Sequence, residues 1–135
     1  MNKILAGLLI LFLQVVGMQS TYAFLQQVPD YVGDGSLFVE ADSIVRNGNS
    51  VTLVYVENFD QPQAYGALTY RSKATQIRIS CTDKRVFALK ESFYSQKNMH
   101  GDLLGRFPLN DAFGSTPEND SWDFNLVNIG CNFAL

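Results

Sequence analysis

The segment Thr69–Thr82 alternates apolar and polar residues with a period of two. Thr75, Ile77, Ile79 and Cys81 share one parity; Gln76, Arg78 and Ser80 share the other. This is the pattern of a strand with one face on a core and one toward water. Asp83-Lys84 interrupts it as a tight turn. Arg85–Ser95 then returns, with Phe87, Leu89 and Phe93 expected on one face. Two strands separated by so short a break pair antiparallel. An isolated hairpin is marginal in water, so further elements must cover its apolar face.

The flanking sequence supplies them. Ser36–Ala41 reads as a short strand after the Gly33-Asp34-Gly35 turn. Asn47-Gly48-Asn49 is a strong turn signal. Ser50–Phe59 is rich in Val, Thr, Tyr and Leu with almost no polar break, which predicts a central strand covered on both faces. Asp60–Leu68 contains Pro62 and Gly66 and reads as a loop. Met99–Asp102 reads as a second loop and Leu103–Leu109 as a short strand.

The tail changes period. Ser115-Thr116-Pro117-Glu118 has a hydroxyl cap, a proline and an acid, the composition of a helix start. Trp122, Leu126 and Ile129 recur at helical spacing, Phe124 and Val127 widen the stripe, and Gly130 reads as its stop. The fold class expected is α+β, an antiparallel sheet packed against a C-terminal helix.

Residues 1–23 read as a signal peptide. Lys3 precedes an apolar run from Ile4 to Val16 broken only by Gln14, and Thr21 and Ala23 fit cleavage after Ala23. The run is shorter than the roughly 20 residues that span hydrocarbon, so no stable membrane span is expected after cleavage. No cysteine follows it to take a lipid. Phe24–Leu135 is then the mature domain, placed in the periplasm or at the cell surface.

Export bears on the two cysteines. In an oxidising compartment Cys81 and Cys131 are expected to pair, the helix end reaching the inner face of the sheet; two buried free thiols are the alternative. Closing a loop of about 50 residues stabilises by roughly 4 kcal/mol at most. Two Cys and one His give too few soft ligands for a structural metal, so none is expected.

Of 135 residues, 10 are basic and 13 acidic, for a net charge of −3. There is no basic surplus to neutralise phosphates, so a nucleic-acid partner is not expected. No nucleophile elbow, phosphate loop or dinucleotide fingerprint is present, and His100 beside Asp102 reads as a solvated loop residue rather than a catalytic base or a ligand contact. The reading is non-enzymatic, with no cofactor.

Two clusters are candidates for partner contact. One is basic: Lys84 and Arg85 at the hairpin tip, with Arg71, Lys73 and Arg78 on the preceding strand, Arg78 at the opposite parity from the other two. The other is aromatic: Tyr65, Tyr70, Phe93 and Tyr94. Aromatic residues with arginine are the usual contents of interface hot spots. The bland alternatives are solvated strand charges and a packed core.

The order of short motifs resembles a known family. Ser43-Ile44-Val45-Arg46-Asn47-Gly48 leads into a long apolar strand that ends in Asn58-Phe59-Asp60-Gln61-Pro62. Tyr70-Arg71-Ser72-Lys73 follows, then Cys81, then Phe93-Tyr94-Ser95, Gly101-Asp102-Leu103-Leu104 and Cys131. Over roughly Phe38–Cys131 this is similar to the surface-adhesin protein E family, small exported domains of Gram-negative bacteria. The resemblance implies an antiparallel sheet joined by a disulfide to a C-terminal helix. It also implies adhesion through protein–protein contact, with host matrix or plasma proteins as partners. A sheet edge or face would carry the contact and could also pair two copies as a homodimer. The alternative function is a soluble periplasmic module that binds a small ligand or inhibits an envelope enzyme.

Overall fold

A computed structural model describes residues 24–133. The expected signal peptide lies outside the described residues. The strands are β1 (Leu25–Gln27), β2 (Ser36–Glu40), β3 (Val45–Asn47), β4 (Ser50–Tyr65), β5 (Leu68–Ser80), β6 (Arg85–Tyr94) and β7 (Leu103–Pro108). One helix, α1 (Trp122–Asn132), follows. The strands form one sheet in the order β1-β2-β4-β5-β6-β7, with β3 pairing β4 beside β2. Every pairing is antiparallel.

The predicted alternation sets the core. Leu37, Val39, Val51, Leu53, Ile77 and Ile79 lie on one face, and Leu126 and Val127 of α1 cover them. Trp122 and Ile129 pack at the margin. Cys131 is bonded to Cys81, just beyond β5, so the helix end is covalently fixed to the sheet across 50 residues of sequence. The Asn47-Gly48 signal is the β3–β4 turn, with Gly48 at φ +62°.

Several expectations fail for identifiable reasons. The segment 60–68 is not a loop: β4 runs on to Tyr65 and turns at Gly66-Ala67 into Leu68. Pro62 is accommodated because the ladder slips between Asn58↔Ser72 and Gln63↔Tyr70, a wide bulge where its missing N–H costs no pairing bond. Phe87 and Phe93 do not share a face. An extra residue, Leu89, enters β6 where the register shifts between Gln76↔Lys90 and Ile77↔Ala88. One inserted residue exchanges the faces beyond it.

The helix begins later than expected. Ser115 instead exchanges two backbone hydrogen bonds with Val86, each 2.8 Å. Asp120 sits at φ +66°, which no right-handed helix can contain. Ser121 is therefore the cap, its Oγ accepting from Phe124 N at 3.3 Å. Gly130 is not a stop but lies inside α1. A Cβ there would sit 3.0 Å from Leu53 Cδ2 and 3.1 Å from Ile79 Cδ1, so the glycine lets the helix backbone press onto the sheet.

The second face of the sheet is covered differently. β4 was expected to be buried on both sides, yet Thr52 and Val54 on that second face are only half-buried. Further along, the connection after β6 folds back over it. Asn58 Nδ2 donates to Asn98 Oδ1 (2.6 Å) and Asn98 N donates to Asn58 Oδ1 (2.7 Å). Ser72 Oγ donates to the Gln96 carbonyl (2.6 Å) and accepts from Met99 N (3.1 Å). Buried Asn58 and Ser72 are thus satisfied by one return loop.

Candidate partner-binding surface

The residues singled out for partner contact do not form one surface. Arg71 stands opposite the β4 bulge. Its Nε donates to the Phe59 carbonyl (3.3 Å) and its Nη2 to the Asp60 carbonyl (2.9 Å). The guanidinium therefore takes over for ladder bonds that the bulge removes. Lys73 is half-buried, with Nζ 3.0 Å from Glu57 Oε2 and 3.9 Å from Glu91 Oε1. Burial alone would depress its pKa, but the Glu57 carboxylate prevails and raises it. Tyr70 is buried, its ring 4.8 Å from Phe93 and 5.6 Å from Phe59.

At the hairpin tip, Lys84 adopts φ +54° and places Nζ 5.2 Å from the Phe124 ring of α1. Arg85 Nη1 donates to the Phe113 carbonyl at 3.2 Å. Tyr94 lies far from that tip, on the face of the sheet opposite α1, where it lines a recess. Arg71, Lys73 and Arg85 thus hydrogen-bond or ion-pair within the fold, Lys84 lies against α1, and Arg78 lies over the Phe87 ring, 4.7 Å from its centroid.

Tyr31 donates from its hydroxyl to Glu57 Oε1 (3.2 Å) and meets the edge of Trp122 at 5.7 Å. Trp122 also meets Tyr55 at 6.0 Å. Burial, followed by the nearby Glu57 carboxylate, pushes both tyrosine hydroxyls above their ordinary range. The Glu57–Lys73 pair and its tyrosines therefore lock the segment after β1 against the start of α1.

The arrangement best suited to a partner lies at the other end of the sheet. Phe93 is 1% exposed, whereas Tyr65 is 51% and Phe107 is 38% exposed. Tyr65 stacks on Phe93 at 4.9 Å with the planes 15° apart. Phe107 sits 5.8 Å from each of them. A buried ring thus supports two exposed ones. Leu103, also exposed, begins the same strand as Phe107. That strand, β7, ends the sheet, and no described strand pairs with its outer side. Rigid aromatic rings lose little entropy on binding, and an unpaired edge offers main-chain hydrogen bonds.

The sequence reading named Tyr65 and Phe93 but missed Leu103 and Phe107. Their alternation within Leu103–Leu109 was visible; that β7 closes the sheet was not. Among the described residues no cluster of His, Cys, Asp or Glu could hold a metal ion, and no helix is long and apolar enough to cross a membrane.

The comparisons with known proteins agree with this architecture. The surface-adhesin protein E family model matches residues 26–132. The structure of Haemophilus influenzae protein E superposes with a TM-score of 0.61 at 17% identity, covering 75% of this chain and 80% of that one. A second crystal form gives 0.59 at 18% identity, covering 82% and 97%. Protein E from non-typeable Haemophilus influenzae gives 0.57 at 17% identity, covering 78% and 75%. No curated protein sequence matches. At these identities the structural likeness concerns the fold alone; the family rests on the sequence match, which spans nearly the whole described domain. The chain belongs to the surface-adhesin protein E family.

Proposed function

We propose that this chain is an exported, non-enzymatic binding domain that adheres through protein–protein contact. Residues 1–23 direct export and are removed after Ala23. The observation that carries the contact reading is the exposed Tyr65–Phe107 pair, seated on buried Phe93 beside the unpaired edge of β7. A partner strand added to β7 would gain backbone hydrogen bonds and cover both rings at once. The partner class proposed is a host matrix glycoprotein, and the same edge can pair with a second copy of this chain. No apolar span holds the mature domain in a bilayer under this reading, and no cofactor takes part.

The test is saturable binding of the mature domain to a panel of immobilised matrix glycoproteins. The Tyr65→Ser/Phe107→Ser double variant serves as the control. Saturable binding that weakens at least tenfold in the variant supports the reading; binding to none of the panel overturns adhesion. Light scattering across a concentration series checks self-pairing, which the same variant should abolish. Protease shaving of intact cells, with a soluble periplasmic marker, decides between surface and periplasm. Mass spectrometry of the exported protein checks that it begins at Phe24.

A further inference from the structure

The face of the sheet opposite α1 carries a recess of about 140 Å³. Its origin is a row of paired residues, Val56–Ala74–Ser92–Arg106, across β4, β5, β6 and β7. The two central side chains are small and almost wholly buried, Ala74 at 6% and Ser92 at 5% exposed, so the row is hollow between its ends. Lys90 and Tyr94 stand on either side of Ser92 on the same strand.

The polar groups at the β6–β7 end of this hollow, Lys90, Ser92 and Arg106, are cationic or donating. Arg106 Nε donates to Ser92 Oγ at 3.3 Å, which folds the guanidinium back over the recess. Neither Arg106 nor Lys90 has an acid partner among the described residues. The Ser92 hydroxyl accepts from Arg106, but its own proton has no acceptor among them. Arginine, lysine and a hydroxyl lining one recess form a carboxylate-binding set. Glu40, the one acid lining the recess, lies on β2, three strand spacings from β6, or roughly 14 Å. It leaves the cationic end free.

We propose that this recess binds a small carboxylate carrying a short apolar group. The carboxylate lies between Arg106 and Lys90 and accepts from Ser92; the apolar group rests on Ala74 and Val54. The size fits: a closed cavity of about 150 Å³ holds one benzene ring. The site opens on the face opposite α1; it shares β7 with the proposed edge through Arg106, but it does not depend on adhesion. Its ligand is a free acid or the C-terminal residue of a peptide, since both present the same chemistry.

The test is a titration of the folded domain, followed by backbone amide shifts. The probes are isovalerate, N-acetylleucine and the two matching amides, isovaleramide and N-acetylleucinamide. Both acids should shift the amides of Ala74, Ser92 and Arg106 with a dissociation constant of about 1 mM, the range for so few atoms. The amides should bind at least tenfold more weakly. Arg106→Gln and Lys90→Gln should each weaken the acids about tenfold, and Ala74→Val should block them by filling the hollow. Tighter binding of N-acetylleucine would identify a peptide terminus; equal or tighter binding of isovalerate would identify a free acid. Amides that bind as well as acids overturn the proposal, as does insensitivity to both charge variants. Shifts confined to Leu103 and Phe107, or none at all, overturn it too.

Discussion

The two ends of this sheet share strands β4, β5 and β6 yet are built in opposite ways. At the Cys81 end, aliphatic side chains from the sheet meet α1 in a sealed layer. At the Phe93 end no α-helix among the described residues covers the sheet, and rings are stacked outward until two of them stand in solvent. Length explains the difference. The 16 residues of β4 extend about 50 Å at some 3.3 Å each. The 11 residues of α1 reach about 16 Å. One short helix cannot cover such a strand. The disulfide ties the sheet where the helix lies, and at the other end two aromatic rings stand exposed.

Cutting the tie at the helix end should have the largest effect. The Cys81→Ser/Cys131→Ser double variant is expected to lose about 4 kcal/mol, measured by urea unfolding. If the ends are as separate as they look, the amide shifts of Phe93 and Phe107 should not move in the folded variant. Next comes Gly130→Val. It forces side-chain volume against Leu53 and Ile79 and should cost about 1–3 kcal/mol in the same assay. A cost near zero would show that α1 can lift from the sheet without penalty.

The region between the ends is expected to lose stability in alkali. Tyr31, Tyr55 and Lys73 all have raised pKa values in the folded protein. Each holds its proton more tightly folded than unfolded. Their contribution is therefore complete below the ordinary values of 10.0 for tyrosine and 10.5 for lysine. It is lost as pH rises through the higher folded values. The single tryptophan, Trp122, packs on both tyrosines and reports the transition by fluorescence. Stability should fall above about pH 10, and less steeply in Tyr31→Phe.

The smallest effect on stability belongs to the exposed rings. Tyr65→Ser or Phe107→Ser should each cost about 1 kcal/mol, the worth of one aromatic contact. A much larger loss would make the Phe93 end part of the core and count against the proposed contact there.

The hairpin of β5 and β6, the Asn47-Gly48 turn and the helical stripe from Trp122 to Ile129 were all legible as sequence. So was the pairing of Cys81 with Cys131. Each rests on short-range information: strand and helix periods, a turn that needs φ above zero, and an exported context for two thiols. What escaped depends on register and on neighbours distant in the chain. The extra residue Leu89 sends Phe87 and Phe93 to opposite faces. The β4 bulge keeps Pro62 within a strand and occupies Arg71. Ser115 is taken by Val86, so the helix waits for Ser121.

The candidate sites divide in the same way. Sequence alone supplied rings and cations in plenty. Only the folded chain decided which cations were already occupied by carboxylates and carbonyls, and which rings reached water. It also decided that β7 would end the sheet, and that Ala74 and Ser92 would fall side by side to leave a hollow. The physical reason is that side-chain period is written locally. Partner, face and exposure are set by strand pairing, and a single inserted residue can reverse them.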